Sequence, residues 1–209
     1  MAQYFHIHPD DPQGRLVGQA VAILRRGGVI TCPTDSCYAL ACLATERAAV
    51  ERIVRIRRLP PRHHLTLLCS DLGMVGQMTR IDNRAFRLIR TMTPGPYTFL
   101  LRAAQGVPRR LLDPRRRTVG VRIPDHAIVR ALLNELGEPL LSTSLVFPGE
   151  AGPALDVDDI RVRLGNEVDL VIEGGAGGGG QTSVIDLSGE NPVIVRRGLG
   201  SLELLDPGA

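Results

Sequence analysis

The run VITCPTDSCYALAC (29–42) constrains the fold more than any other stretch, because apolar text flanks both sides of a polar kernel, Pro33-Thr34-Asp35-Ser36. Short apolar runs bounded by turn residues read as buried strands. The segment therefore predicts strand, loop and strand, with Thr34, Asp35, Ser36 and Tyr38 at the end of a sheet. The pattern recurs in YFHIH (4–8), LTLLC (65–69), PGPYTFLL (94–101), TVGVRIP (118–124), PLLSTSLV (139–146) and VDLVIE (168–173). SVIDL (183–187) and VIVRRG (193–198) read as a final hairpin. Helical spacing is predicted from Asp10-Asp11-Pro12 to Gly27-Gly28, from about Thr45 to Arg57, from Asp82 to about Met92, from Asp125 to Gly137, and briefly after Asp156. Short strands alternating with helices, with no linker or repeat, predict one α/β domain over residues 1–209, core from about 13 to 200, on a mixed sheet.

Charge narrows the chemistry. All 25 basic side chains are arginine, so lysine Schiff bases and the phosphate loop GxxxxGK[ST] are excluded, and an anion must be held by arginine forks, backbone amides or a metal. Residues 1–130 carry a net +12 and residues 131–209 a net −9, which points to an anionic partner for the first part. An aromatic content of 3% argues against a base-stacking surface. Cys32, Cys37, Cys42 and Cys69 lack zinc-site spacing and read as buried free thiols. The N-terminal residues lack a basic segment followed by an apolar one, and no apolar run reaches the roughly 20 residues of a membrane span, so a cytoplasmic protein with no membrane partner is expected.

Three groups of residues could carry chemistry. The first is the PTDS kernel with Tyr38, which suits a polar small molecule but by itself favours a turn stabilised by its own carboxylate and hydroxyls. The second is RIVRIRRLPPRHH (52–64), where Arg57, Arg58 and Arg62 crowd the Pro60-Pro61 break and would repel one another unless an anion lay between them. His63 and His64 find no third metal ligand, and no metal site is predicted. The third group is dispersed: Thr98, Arg122, Thr143, Ser144, Thr182, Ser183 and Arg196 each place a hydroxyl or guanidinium at the end of an apolar strand, the way one pocket is lined from several strands. GGAGGGG (174–180) lacks the GxGxxG register and reads as a mobile flap. Arg55 and Arg62, with Arg109, Arg110, Arg115, Arg116 and Arg117 of a basic loop, are candidates for the phosphates of tRNA or another structured, double-stranded RNA.

Seven ordered segments resemble one family. GGVITCPTDSCYALAC is similar to the GGxxxxPTDTxYGL signature of the YrdC/YciO family, which includes the threonylcarbamoyl-AMP synthases. IVRIRRLPPRHHLTLL, TPGPYTFLL, TVGVRIPDH, PLLSTSLVFPG, TSVIDL and VIVRRG resemble its IxxIKxRPxxxPLxxL, PGPxTxxL, VGxRxPxH, PxxxTSANxSG, STVxD and xxLRxG segments, most closely those of the YciO branch. The resemblance implies a YrdC-like fold, a twisted mixed sheet flanked by helices, with a large electropositive concave groove. It also implies ATP with Mg²⁺, L-threonine and bicarbonate as substrates, joined into threonylcarbamoyl adenylate for tRNA modification. On the matching positions, Thr34 would contact threonine and Arg57 would replace the family lysine at the phosphates. Thr143 and Ser144 would contact adenylate and carbamate, Thr182 or Ser183 the threonine end, and Arg196 phosphate. Two departures are visible: the family arginine of KxRP is Leu59, and the asparagine of TSAN is Val146. Losing a charge-assisted contact to phosphate costs about 1.5–3 kcal/mol. Catalysis, RNA binding without catalysis, and hydrolysis of an adenylate therefore stand as alternative readings.

Overall fold

The computed structural model describes residues 1–60, 65–105, 107–108, 111–113, 115–175 and 177–206. The apolar runs form strands in one sheet: β1 (Gln3–His6), β2 (Ile30–Cys32), β3 (Ala39–Leu43), β4 (Thr66–Leu68), β5 (Thr79–Arg80), β6 (Tyr97–Ala103), β7 (Thr118–Arg122), β8 (Leu140–Ser144), β9 (Leu170–Glu173), β10 (Ser183–Asp186) and β11 (Val193–Arg196). Their order is β1-β9-β2-β3-β8-β4-β7-β6-β10-β11, with β5 on β6. The sheet is mixed. β9 runs parallel to β1 and β2, β4 to β7, and β6 to β10, whereas β3–β8, β8–β4, β6–β7 and the β10–β11 hairpin are antiparallel.

Helices α1 (Gly14–Arg25), α2 (Arg47–Arg57), α3 (Leu72–Met78), α4 (Asn83–Met92), α5 (Ala127–Leu136) and α6 (Val157–Leu164) cover the sheet. Successive side chains on a strand point to opposite faces, and the two cores follow that alternation. Leu40, Leu67, Phe99, Val121, Leu141 and Ile185 pack with α2, α3, α4 and α6. Ile30, Ala41, Leu68, Leu140, Leu170 and Ile172 pack on the other face beneath α1 and α5.

Helix starts follow local chemistry. The carboxylates of Asp71, Asp82 and Asp156 accept backbone N–H groups at the starts of α3, α4 and α6, as the sequence predicts for the last two. Two expected starts shift: α1 begins after Gln13 instead of Asp10-Asp11-Pro12, and α5 after His126 instead of Asp125, neither with a side-chain cap. Helix α3 and the two-residue β5 are additions; Gly73 and Gly76 mask the helical spacing of α3. All four cysteines are buried and none is in a disulfide. No described helix is long and apolar enough to cross a membrane.

Candidate functional site

Helices α1 and α5 cover only part of their face. The same-side positions beyond them floor a cleft of about 420 Å³: Ala39 of β3, Ser142 and Ser144 of β8, Thr66 of β4, Gly120 and Arg122 of β7, Thr98 and Leu100 of β6, and Val184 of β10. Register aligns them, because Thr66 lies opposite both Gly120 and Ser142, Leu100 opposite Gly120, and Val184 opposite Thr98. A Cβ on Gly120 would sit 3.3 Å from Thr66 Oγ1 and rise into this floor. Glycine inside a strand marks close approach of a ligand or another backbone.

Three guanidinium groups line the cleft. Arg122, only 5% exposed, donates to the Asp35 carboxylate in a buried ion pair and to Thr34 Oγ1 at 3.3 Å. Arg196 donates from Nε to Thr182 O at 3.1 Å and from Nη2 to Thr182 Oγ1 at 3.1 Å; Thr182 Oγ1 lies 2.9 Å from Thr98 Oγ1. Arg57 ends α2 at the cleft wall with its Nε buried and without a hydrogen-bond partner among the described residues. Among the described residues neither Arg57 nor Arg196 has a carboxylate partner, and partial burial pulls both guanidinium pKa values down. Desolvation without a counter-charge makes both sites ready to accept an anion.

Seven of the sequence candidates thus converge: Arg57, Thr98, Arg122, Thr143, Ser144, Thr182 and Arg196 all line the cleft. The others lie behind or beside it. The Thr34 hydroxyl is consumed by its own turn, donating to Cys37 O at 2.6 Å and accepting from the Ser36 and Cys37 amides at 3.2 Å. Tyr38 is a core residue whose phenol meets the Gly174 N–H and is pushed up to about 12 by burial. Ser183 is buried and donates to Gly200 O at 2.7 Å, a strap for the C-terminal segment. Arg58 takes the left-handed cap position of α2 and is exposed.

The basic surface divides differently. Arg55, Arg115, Arg116 and Arg117 are exposed, with Arg116 paired to Asp186 at 2.6 Å. Arg62, Arg109, Arg110, His63 and His64 lie outside the described residues. Sequence reasoning missed Thr66, Gly120, Ser142 and Gln181 in the cleft; Thr66 lies between two leucines and Gly120 between two valines, a signal visible once the face is known. Of the expected flap, Ala176 lies outside the described residues, and the glycines after it do not hang free: Gly177 N–H donates to Thr34 O at 2.9 Å and Gly180 N–H to Ser36 O at 3.2 Å, which docks them on the PTDS turn.

A twisted mixed sheet with helices on both faces and an arginine-lined cleft on the part of one face they leave open defines the α/β class of the protein, and comparison with known proteins supplies its family. A family model for Sua5, YciO and YrdC proteins, described as telomere recombination, matches residues 22–198, and the chain belongs to that family. It is 51% identical to Escherichia coli YciO over 203 residues, 97% of this chain and 98% of that one, and matches the crystal structure of E. coli YciO with a TM-score of 0.93 over the same shares. A threonylcarbamoyl-AMP synthase of Neisseria gonorrhoeae is 32% identical over 149 residues, 71% of this chain and 78% of that one. The crystal structure of Pyrococcus abyssi Sua5 complexed with L-threonine matches at a TM-score of 0.84 and 25% identity, over 93% of this chain and 57% of that one.

Proposed function

We propose that the cleft binds MgATP and L-threonine and forms L-threonylcarbamoyl adenylate, the precursor of threonylcarbamoyladenosine in tRNA. The threonine amine condenses with bicarbonate to a carbamate, forming the C–N bond as water is lost; a carbamate oxygen then attacks the α-phosphorus of ATP, and pyrophosphate leaves as the bond to the β-phosphate breaks. Such chemistry asks the protein for positioning and charge stabilisation rather than for a nucleophile. The observation that carries the reading is the pair of carboxylate-free guanidinium groups, Arg57 and Arg196, desolvated in one cleft. In this reading they hold the phosphates, Arg122 with Thr34 behind it faces the threonine end, and Thr143 and Ser144 face the carbamate and adenylate. Thr98 and Thr182 fix the Arg196 fork. Mg²⁺ arrives on the phosphates of ATP as part of the substrate. The relatives supply the substrate class: one bears the name threonylcarbamoyl-AMP synthase, another is a complex with L-threonine. The test is pyrophosphate release from ATP that requires both threonine and bicarbonate; none, beside an active synthase control, overturns the reading.

A second reading is favoured by the exposed arginines at 115 and 117, which have no ion pair among the described residues and lie with Arg116 at the Asp186 end of β10, away from Thr182. There structured RNA would be held by its phosphates, with binding that falls steeply with salt. Filter binding across 50–200 mM salt tests it, and a flat salt response rejects it.

A further inference from the structure

The segment leaving β7 carries both ends of a closed circuit. At its start Arg122 holds the Asp35 carboxylate of the PTDS turn. The backbone of that turn accepts the Gly177 and Gly180 N–H groups of the glycine tract. A Cβ on Gly177 would stand 2.4 Å from Asp35 O, so this close seating requires glycine. At the near end of the tract, Gly175 O lies 2.8 Å from Nε2 of His126, on the segment where the circuit began.

His126 occupies the N-cap position of α5 yet caps nothing there with its side chain. Its Nδ1 is buried and has no hydrogen-bond partner among the described residues. A neutral imidazole carries one N–H, and a proton on Nδ1 would be buried without an acceptor, so the proton resides on Nε2 and is donated to Gly175 O. We infer that His126 is a positioning residue: it fixes the glycine tract against the PTDS turn, and through that turn holds Asp35 on Arg122 at the cleft. Asp35 gains from such outside support, because Arg122 holds only its Oδ1, while its Oδ2 is buried without a hydrogen-bond partner among the described residues. This inference rests on the cleft being the ligand site; its test uses no ligand, so its failure and the failure of the proposed activity are distinguishable.

Amide hydrogen exchange of the full chain, read at single residues, is the experiment. His126→Ala is expected to speed exchange of the Gly177 and Gly180 amides by about tenfold, with a smaller rise at Ser36 and Cys37, while Val121 and Leu141 within the sheet keep wild-type protection. His126→Gln, whose amide nitrogen donates from the Nε2 position, is expected to restore the wild-type pattern. Unchanged exchange at Gly177 and Gly180, an equal rise over the whole sheet, or failure of His126→Gln to restore protection would each overturn the assignment. If His126→Ala does not fold, the His126→Gln pattern decides alone.

Discussion

On the face shared by α1 and α5 the same strands change character along their length. Leu140 of β8 and Leu68 of β4 lie fully buried beneath helices, whereas Ser142 and Thr66, two residues away on the same side, floor the cleft. Backbone pairing is identical in both places, with Thr66 opposite Ser142 and Leu68 opposite Leu140. What differs is the cover, and the residue type follows it: an apolar side chain where a helix excludes water, a hydroxyl or glycine where the face stays open to the cleft. The site is therefore the part of one sheet face that the helices do not cover, edged by arginines from α2, β7 and β11.

The contrast can be broken by substitution. Leu140→Ala is expected to lower unfolding free energy by about 2–5 kcal/mol in urea titration; a cost no larger than that of Ser142→Ala would refute the distinction. Arg57→Ala and Arg196→Ala should each reduce threonine-dependent pyrophosphate release by about 10- to 100-fold with little change in Tm, since each removes a charge-assisted contact of about 1.5–3 kcal/mol. Leu59→Arg with Val146→Asn should raise that release by about tenfold if the two apolar replacements limit it; an unchanged rate would show that they do not. As a control outside both regions, Asp71→Ala should cost about 1 kcal/mol at pH 7. The Met74 N–H and the Ser70 hydroxyl hold the Asp71 carboxyl below its ordinary value, so its contribution is present at neutral pH and disappears as pH falls through that lowered value. Smallest of all, Ser142→Ala should shift stability by less than about 1 kcal/mol, since only its bond to Thr66 O at 3.1 Å is lost.

Much of this arrangement is legible in the sequence, and the remainder is hidden for identifiable reasons. The long apolar runs become strands where expected, because burial on both faces leaves them little alternative. Thr98, Arg122 and Arg196 stand out, since a polar residue at the end of such a run needs a partner or a solvent-facing cleft. Thr66, Gly120 and Ser142 do not, because inside a strand they look like small core residues until the cover above them is known. Thr34 misleads in the opposite direction: its hydroxyl looks free in the sequence, but its own backbone claims it. The glycine tract reads as flexible for lack of side chains, yet that lack is what allows its backbone to approach Asp35.

The placement of β10 beside β6 has a consequence for biosynthesis. Thr98 meets Thr182 across 84 residues of chain, and Arg122 meets Thr34 across 88. A ribosome that has released residues 1–180 has exposed every strand of the cleft floor except the last, while Thr182, Val184, Val195 and Arg196 are still to come. The cleft wall is thus complete only with the final hairpin, and a nascent fragment ending before it lacks the Arg196 guanidinium and the Thr182 hydroxyl that fixes it.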